Sequence, residues 1–233
     1  MSEISPYEAI DRVFETIRNT DASLNSRLLL LAEAVREASP EFHGGVETLI
    51  ARLAKSGVGQ RAPKIGEALA PFLLPDQNGR LTGLTDILSR GPAVVSFLRG
   101  HWCPYCRLTA SAFAMVEEAI GPEHMVAITP ETARYNTQMR ESMPLAFRLL
   151  TDPDSGYALS LNLAFWVDDT FADLMRGVGQ DLAAYQAGVS WLLPIPATFV
   201  VNSAGIIVAR HVDPDYRRRM EIDDLVAAFE SAT

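Results

Sequence analysis

Two cysteines three residues apart, set where an apolar strand hands over to a helix, constrain this chain more than any other feature. Residues 93–98 (Ala-Val-Val-Ser-Phe-Leu) are a short continuous apolar run with turn signals before it. Such a run suits a buried strand in a sheet that is at least partly parallel. Residues 104–120 place Leu108, Ala112, Met115, Val116 and Ala119 on one apolar face at helical spacing. Between the two, Arg99-Gly100-His101-Trp102 reads as a turn. Cys103 then falls at the helix N-cap, Pro104 at the first helical position and Cys106 two further on. Proline fits there because the amide it lacks would have no intrahelical partner.

That placement predicts redox chemistry. The free N–H groups of the first turn and the positive end of the helix dipole favour thiolate over thiol at Cys103. Cysteines so placed have pKa values of roughly 3.5–7.5, against about 8.5 for a free thiol. Arg99, His101 and Arg107 would push the same way if their side chains reach the sulfur. Helical residues at i and i+3 hold their Cβ atoms about 5–6 Å apart, and a disulfide wants about 3.5–4.5 Å. Because a cap residue is not helical, a small backbone change closes the gap. Cys103 is therefore expected to be the more exposed, attacking thiol and Cys106 the resolving thiol, with Trp102 shielding one side of the sulfur. A zinc site needs four ligands, and the chain offers only these two cysteines and the scattered His43, His101, His124 and His211. Neither a metal nor an organic cofactor is expected.

The net charge of −9 on 233 residues argues against a nucleic-acid partner. The one basic run, Arg217-Arg218-Arg219, lies between acidic segments and reads as a solvated face. No apolar run approaches the ~20 residues that span a membrane. Residues 1–6 lack the basic and apolar regions of a signal peptide, so a cytoplasmic protein is expected.

Residues 1–57 read as a helical extension. Ser5-Pro6-Tyr7-Glu8 supplies an N-cap serine, a proline at the first helical position and a capping-box glutamate, followed by Ile10, Val13, Phe14 and Ile17. Leu24–Ala38 is a second helix closed by Ser39-Pro40, and residues 46–55 a third ended by Ser56-Gly57. The extension is expected to pack on the rest of the chain or on a second copy, making a homodimer through these helices a candidate assembly. Residues 58–233 read as the redox domain. They predict a hairpin around Pro75-Asp76-Gln77-Asn78-Gly79, strands at 93–98, 125–129 and 147–151, and helices at 104–120 and 131–142. After an irregular stretch at 165–192 come strands at 197–201 and 206–209 and a closing helix at 222–231. The order is that of an α/β fold: a central mixed sheet flanked by helices. Phe165, Trp166, Phe171, Tyr185 and Trp191 form either an apolar wall near the cysteines or plain core.

Ser96 to Cys106 resembles the active-site stretch of the peroxiredoxin-like branch of the alkyl hydroperoxide reductase and thiol-specific antioxidant (AhpC/TSA) family. Gly59 to Pro63, Leu74 to Gly79, Leu150 to Asp154 and Pro196 to Val201 are similar to that family's other motifs. The likeness covers about residues 58–230 and implies a thioredoxin-like fold with Cys103-Pro104 as the peroxidatic cysteine and its proline. Typical members have a threonine three residues before that cysteine and a proline seven before; here these are Gly100 and Ser96. Their peroxide-binding arginine before the Ala-Thr-Phe strand is here Pro196, so Arg99 or Arg210 would have to replace it. Pro196 instead resembles the cis-proline of thioredoxins, which implies a cis Ile195–Pro196 bond. Three functions stay open: a thiol peroxidase acting on hydroperoxides and reset by an external thiol donor, a general thiol-disulfide oxidoreductase, and a redox-dependent interaction module.

Overall fold

The computed structural model describes residues 6–232. The chain opens with three helices, α1 (Pro6–Arg18), α2 (Leu24–Ala38) and α3 (Pro40–Ser56). The predicted N-cap of α1, Ser5, lies outside the described residues. Ser23 caps α2 by accepting a hydrogen bond from the Ser26 amide. Ser39-Pro40 closes α2 as expected and also opens α3: the Ser39 hydroxyl accepts from the Phe42 amide and Pro40 takes the first helical position. The third helix therefore begins six residues earlier than its apolar pattern suggested. Gly57, with φ at +71°, ends it in the left-handed conformation that glycine adopts without strain.

A hairpin of β1 (Leu73–Pro75) and β2 (Leu81–Gly83) follows, then α4 (Leu84–Leu88) and β3 (Ala93–Phe97). The predicted helix at 104–120 is two helices, α5 (Pro104–Ala114) and α6 (Glu117–Ile120). The break falls at Val116, whose φ and ψ of −115° and 7° leave the helical region. Beyond it the Glu117 carboxylate accepts from the amides of Ala146 and Phe147, tying α6 to the entry of the next-but-one strand. Next come β4 (Met125–Thr129), α7 (Ala133–Ser142), β5 (Arg148–Thr151) and α8 (Gly156–Ser160). The stretch expected to be irregular is bracketed by a two-stranded antiparallel pair, β6 (Ala164–Trp166) with β7 (Leu192–Pro194), and carries α9 (Asp169–Gly177) and α10 (Leu182–Tyr185). β8 (Ala197–Val201), β9 (Ile207–Val212) and α11 (Ile222–Ala232) complete the chain.

The central sheet has the order β5-β4-β3-β8-β9, parallel among the first three and antiparallel beyond. Every residue of β3, β4 and β8 is buried, which is why they read as unbroken apolar runs rather than alternating ones. The mixed sheet flanked by helices is the architecture expected. The extension packs on its own chain: α1 and α2 lie against α5, and α3 against α9. Phe14, Leu28 and Leu31 are fully enclosed and belong to the same apolar core as Phe97 and Phe199 of the sheet. Arg107 fastens α1 to α5, with Nη1 2.6 Å from Asp11 Oδ1 and its guanidinium 4.3 Å over the Phe14 ring. Among the described residues no helix is long and apolar enough to cross a membrane.

Candidate active site

β3 delivers the chain from the middle of the sheet into the turn at residues 98–102. Cys103 then caps α5 with φ and ψ of −87° and 109°, followed by Pro104 at the first helical position. Its carbonyl accepts from the amides of Cys106 and Arg107, both at 3.0 Å. No cap hydrogen bond of ordinary geometry reaches its side chain; of the first-turn amides, that of Cys106 bears on the Cys103 sulfur and favours its thiolate, behind burial and Arg99. The sulfur faces a guanidinium: Arg99 Nη2 donates to Cys103 Sγ at 2.9 Å. The Arg99 backbone amide donates to Cys106 Sγ at 3.3 Å. The two sulfurs are unbridged and both wholly buried, so Cys103 is not the more exposed of the pair as expected.

Arg99 is itself buried, lies 3.5 Å over the Tyr216 ring and 5.2 Å from the Trp102 ring, and has no carboxylate hydrogen-bond or ion-pair partner among the described residues. Burial works against its charge, yet Cys103, Tyr216 and Cys106 hold its pKa above the ordinary value. A buried cation of this kind needs a counter-charge, and the thiol pair is the group placed to supply it. The two sulfurs hydrogen-bond to one another and act as a unit. Burial pushes Cys103 well up, and the hydrogen bond with Cys106 adds to that. For Cys106 burial is outweighed by the hydrogen bond from Cys103 and then by Arg99 and Arg219, and its pKa falls well below the ordinary thiol value. In this closed arrangement the pull is toward charge on Cys106 and away from Cys103, where the sequence predicted it, and the two sulfurs titrate as a pair. Burial raises the Tyr216 hydroxyl to about 12, so it stays protonated beside Arg99.

The other predicted groups lie elsewhere. His101 turns away from the sulfur: its Nδ1 is 2.6 Å from Glu131 Oε1, its amide donates to Glu131 Oε2 at 2.7 Å, and its ring stacks on Tyr135 with Tyr185 edge-on. Arg107 is engaged with α1, and Arg210 donates to the carbonyls of Ala62 and Pro63. Trp102 is buried next to Cys103 with Nε1 unpartnered among the described residues. The Ser96 hydroxyl is 3.1 Å from that of Thr198 on the neighbouring strand and is spent within the sheet. Pro196 is buried one residue before β8. No peptide bond among the described residues is cis, so the Ile195–Pro196 bond is trans. Trans is the lower isomer by about 0.5–1 kcal/mol. Here Ile195 donates to the Leu163 carbonyl at 2.7 Å while the chain runs directly from β7 into β8.

A cavity with about 40 Å³ of room for water-sized molecules lies against this site. Arg99, Trp102, Pro104, Tyr105 and Tyr216 form its inner wall. Its cover comes from the extension (Pro6, Tyr7, Ile10, Val35, Ser39, Phe42) and from the 165–192 stretch (Phe171, Met175, Val178, Gln180). Of the aromatics expected as wall or core, Phe171 is wall, Tyr185 packs on His101, Phe165 is core, and Trp166 is exposed. Sequence reasoning missed Glu131, Tyr216 and Arg219. Arg217 pairs with Asp215 and Glu47 and Arg218 faces solvent, but Arg219 is buried, so the basic run is not one solvated face. The adjoining Met220 and nearby Tyr216, both apolar and both buried, are the signal that this segment turns inward. Among the described residues no cluster of ligands for a metal ion occurs.

The model of the AhpC/TSA family matches residues 65–210. Among solved structures, the chain is similar to peroxidoxin BcpB from Mycobacterium tuberculosis, at 20% identity over 73% of this chain and 98% of that one, with a TM-score of 0.56. It is similar to a yeast mitochondrial 1-Cys peroxiredoxin at 13% identity over 72% and 75% of the two chains, TM-score 0.53. Peroxiredoxin Q from Xanthomonas campestris matches at 14% identity over 70% and 92%, TM-score 0.51. These likenesses carry the fold. None of the curated proteins matches the chain.

Proposed function

Because the chain belongs to the AhpC/TSA family, we propose that it reduces hydroperoxides, with Cys103 as the attacking and Cys106 as the resolving thiol. The observation that carries this reading is the buried Arg99 guanidinium, 2.9 Å from Cys103 Sγ and forming part of the cavity wall. It stands in for the arginine that Pro196 displaces. Passage of the shared proton from Cys103 to Cys106 along their hydrogen bond places the thiolate beside Arg99. That thiolate attacks the nearer oxygen of RO–OH. The O–O bond breaks, the hydroxyl oxygen stays on sulfur so that Cys103 becomes a sulfenic acid, and the leaving RO⁻ takes a proton from solvent, leaving the Cys106 proton for the next step. The Nε–H of Arg99 and the Nε1–H of Trp102, buried and without an acceptor among the described residues, are donors for the developing negative oxygen. Cys106 then attacks Cys103–SOH, forming the disulfide and releasing water, and an external thiol donor restores both thiols.

Size favours this over exchange with protein disulfides. The cavity accommodates about three waters at 10–15 Å³ each, and a hydroperoxide head group fits where an extended polypeptide does not. A trans Pro196 also removes the feature that motivated docking of a peptide. We place the protein in the cytoplasm with an external donor of the thioredoxin or glutathione type, the two systems that resolve the thiol of the yeast mitochondrial 1-Cys peroxiredoxin. The division into an extension of residues 1–57 and a redox domain of residues 58–233 belongs to the same reading. Homodimerisation is proposed through the outer face of the extension, where Val13, Leu29 and Leu30 are exposed; light scattering on the purified chain decides it.

The test is a stopped-flow reaction of reduced protein with excess hydroperoxide. Thiol loss is expected to be at least a hundredfold faster than for free cysteine at the same pH, and parity with free cysteine would overturn the proposal. Cys106→Ser is expected to keep the first oxidation and stop at a sulfenic acid that dimedone traps, seen as a single adduct by mass spectrometry. A dimedone adduct on Cys106 in the Cys103→Ser protein, formed as fast, would reverse the two roles.

A further inference from the structure

We propose that Arg219 is a positioning residue of the cysteine pair, holding negative charge on Cys106, and that the N-terminal extension takes part in the redox chemistry by seating it. The proposal deepens the peroxidase reading by assigning the resolving thiol its own cation. Arg219 is 4% exposed and has no acidic side chain as partner among the described residues. Its Nη1 donates to the Arg218 carbonyl at 2.7 Å, while Nε and Nη2 are buried without an acceptor of good geometry. An unpaired buried guanidinium is costly. Among the described residues, Cys106 and Cys103 are groups beside it that can carry negative charge, and Cys106 is the one its side chain reaches to hydrogen-bond. Arg99 already bonds to Cys103, which leaves Arg219 to Cys106.

The seat is built by the extension. Asn25, in the first turn of α2, brackets the Arg219 backbone: Oδ1 accepts from the Arg219 amide at 2.9 Å, and Nδ2 donates to the Arg219 carbonyl at 2.9 Å. Two residues on, the Glu221 carboxylate caps the same turn, accepting from the Leu24 amide at 3.0 Å and the Asn25 amide at 3.2 Å. The other charged or titratable groups around the two are known. Cys106 is also faced by Cys103, Arg99 and Glu131, and Arg219 by Arg99 and His211. Of these, Arg99 and Arg219 favour a Cys106 thiolate, and Glu131 opposes it.

The effect on Cys106 is read in the Cys103→Ser background of the full chain, where one thiol titrates alone. Thiolate absorbance near 240 nm is followed against pH. Arg219→Met is expected to raise the midpoint by about one unit, a tenfold loss of thiolate below it, and Arg219→Lys to restore most of the shift. Asn25→Ala, which keeps the cation but frees its segment, is expected to move the midpoint in the same direction by less. Thermal unfolding checks that each variant is folded, and where Arg219→Met is not, Asn25→Ala decides. Unchanged midpoints in the folded variants overturn the proposal. The titration needs no turnover, so its failure and a failure of the peroxidase reading are separate results.

Discussion

Arg99→Met is expected to slow oxidation of Cys103 by hydroperoxide about 10²–10³-fold, the range found when one donor is removed from a site that stabilises developing negative oxygen. Two losses combine. The Cys103 thiolate gives up a charge-assisted bond 2.9 Å long inside the protein, where no water replaces it. The peroxide gives up the Nε–H that has no other acceptor. Methionine matches the volume and sits well between Trp102 and Tyr216, so the fold is expected to survive. The deficit should narrow as pH rises, because hydroxide then forms the thiolate that the cation no longer favours. Arg99→Lys keeps the charge but not the planar fork, and an intermediate rate is expected. Stopped-flow traces from pH 6 to 9 make the measurement, and a Met variant within threefold of the parent throughout would remove Arg99 from the mechanism.

Gly100→Thr is expected to destabilise the protein by about 4 kcal/mol, although it installs the residue typical of the family. Gly100 has φ at +139°, where a side chain costs roughly 1–3 kcal/mol. A Cβ there would lie 2.3 Å from the Glu131 carboxyl carbon. That carboxylate cannot simply swing aside: it is fully enclosed and held by the His101 amide and ring, and leaving such a buried group unsatisfied costs about 1–3 kcal/mol. Urea denaturation reads the loss. Gly100→Ala combined with Glu131→Ala should cost less than the sum of the single changes, because the second removes the atoms that the first strikes. Additive costs would mean that strain in the backbone, rather than the carboxylate, reserves this position for glycine.

The parts of the fold that were legible are those where one periodicity dominates. The bounds of α2, the turn between β1 and β2, and β3, β4 and β8 follow from apolar spacing and turn residues within one segment. The segment from Cys103 through Cys106 was legible because strand, turn, cap and proline agree there. What failed depends on atoms far apart in sequence. The cavity beside the pair is closed in part by residues of α1 and α9, which no local pattern ties to residue 103. The turn of His101 toward Glu131 depends on α7 starting at Ala133 rather than at residue 131, which leaves Glu131 free to fill the space beside Gly100. The charge on the pair was assigned to Cys103 from its cap position and from nearby cations; the hydrogen bond between two touching sulfurs, with Arg99 and Arg219 beside them, draws it toward Cys106 instead.

The enclosure of the cysteines has a consequence for timing. A hydroperoxide small enough for the cavity needs little more than a breathing motion of its cover, whereas any thiol donor bulkier than the cavity must wait for α1 or the α9 segment to swing away. Recycling then runs on an internal clock: raising the donor concentration speeds it only until opening becomes the slow step. On the proposed mechanism, the protein would keep its disulfide between an oxidative pulse and that opening, and so carry a short-lived record that peroxide was present.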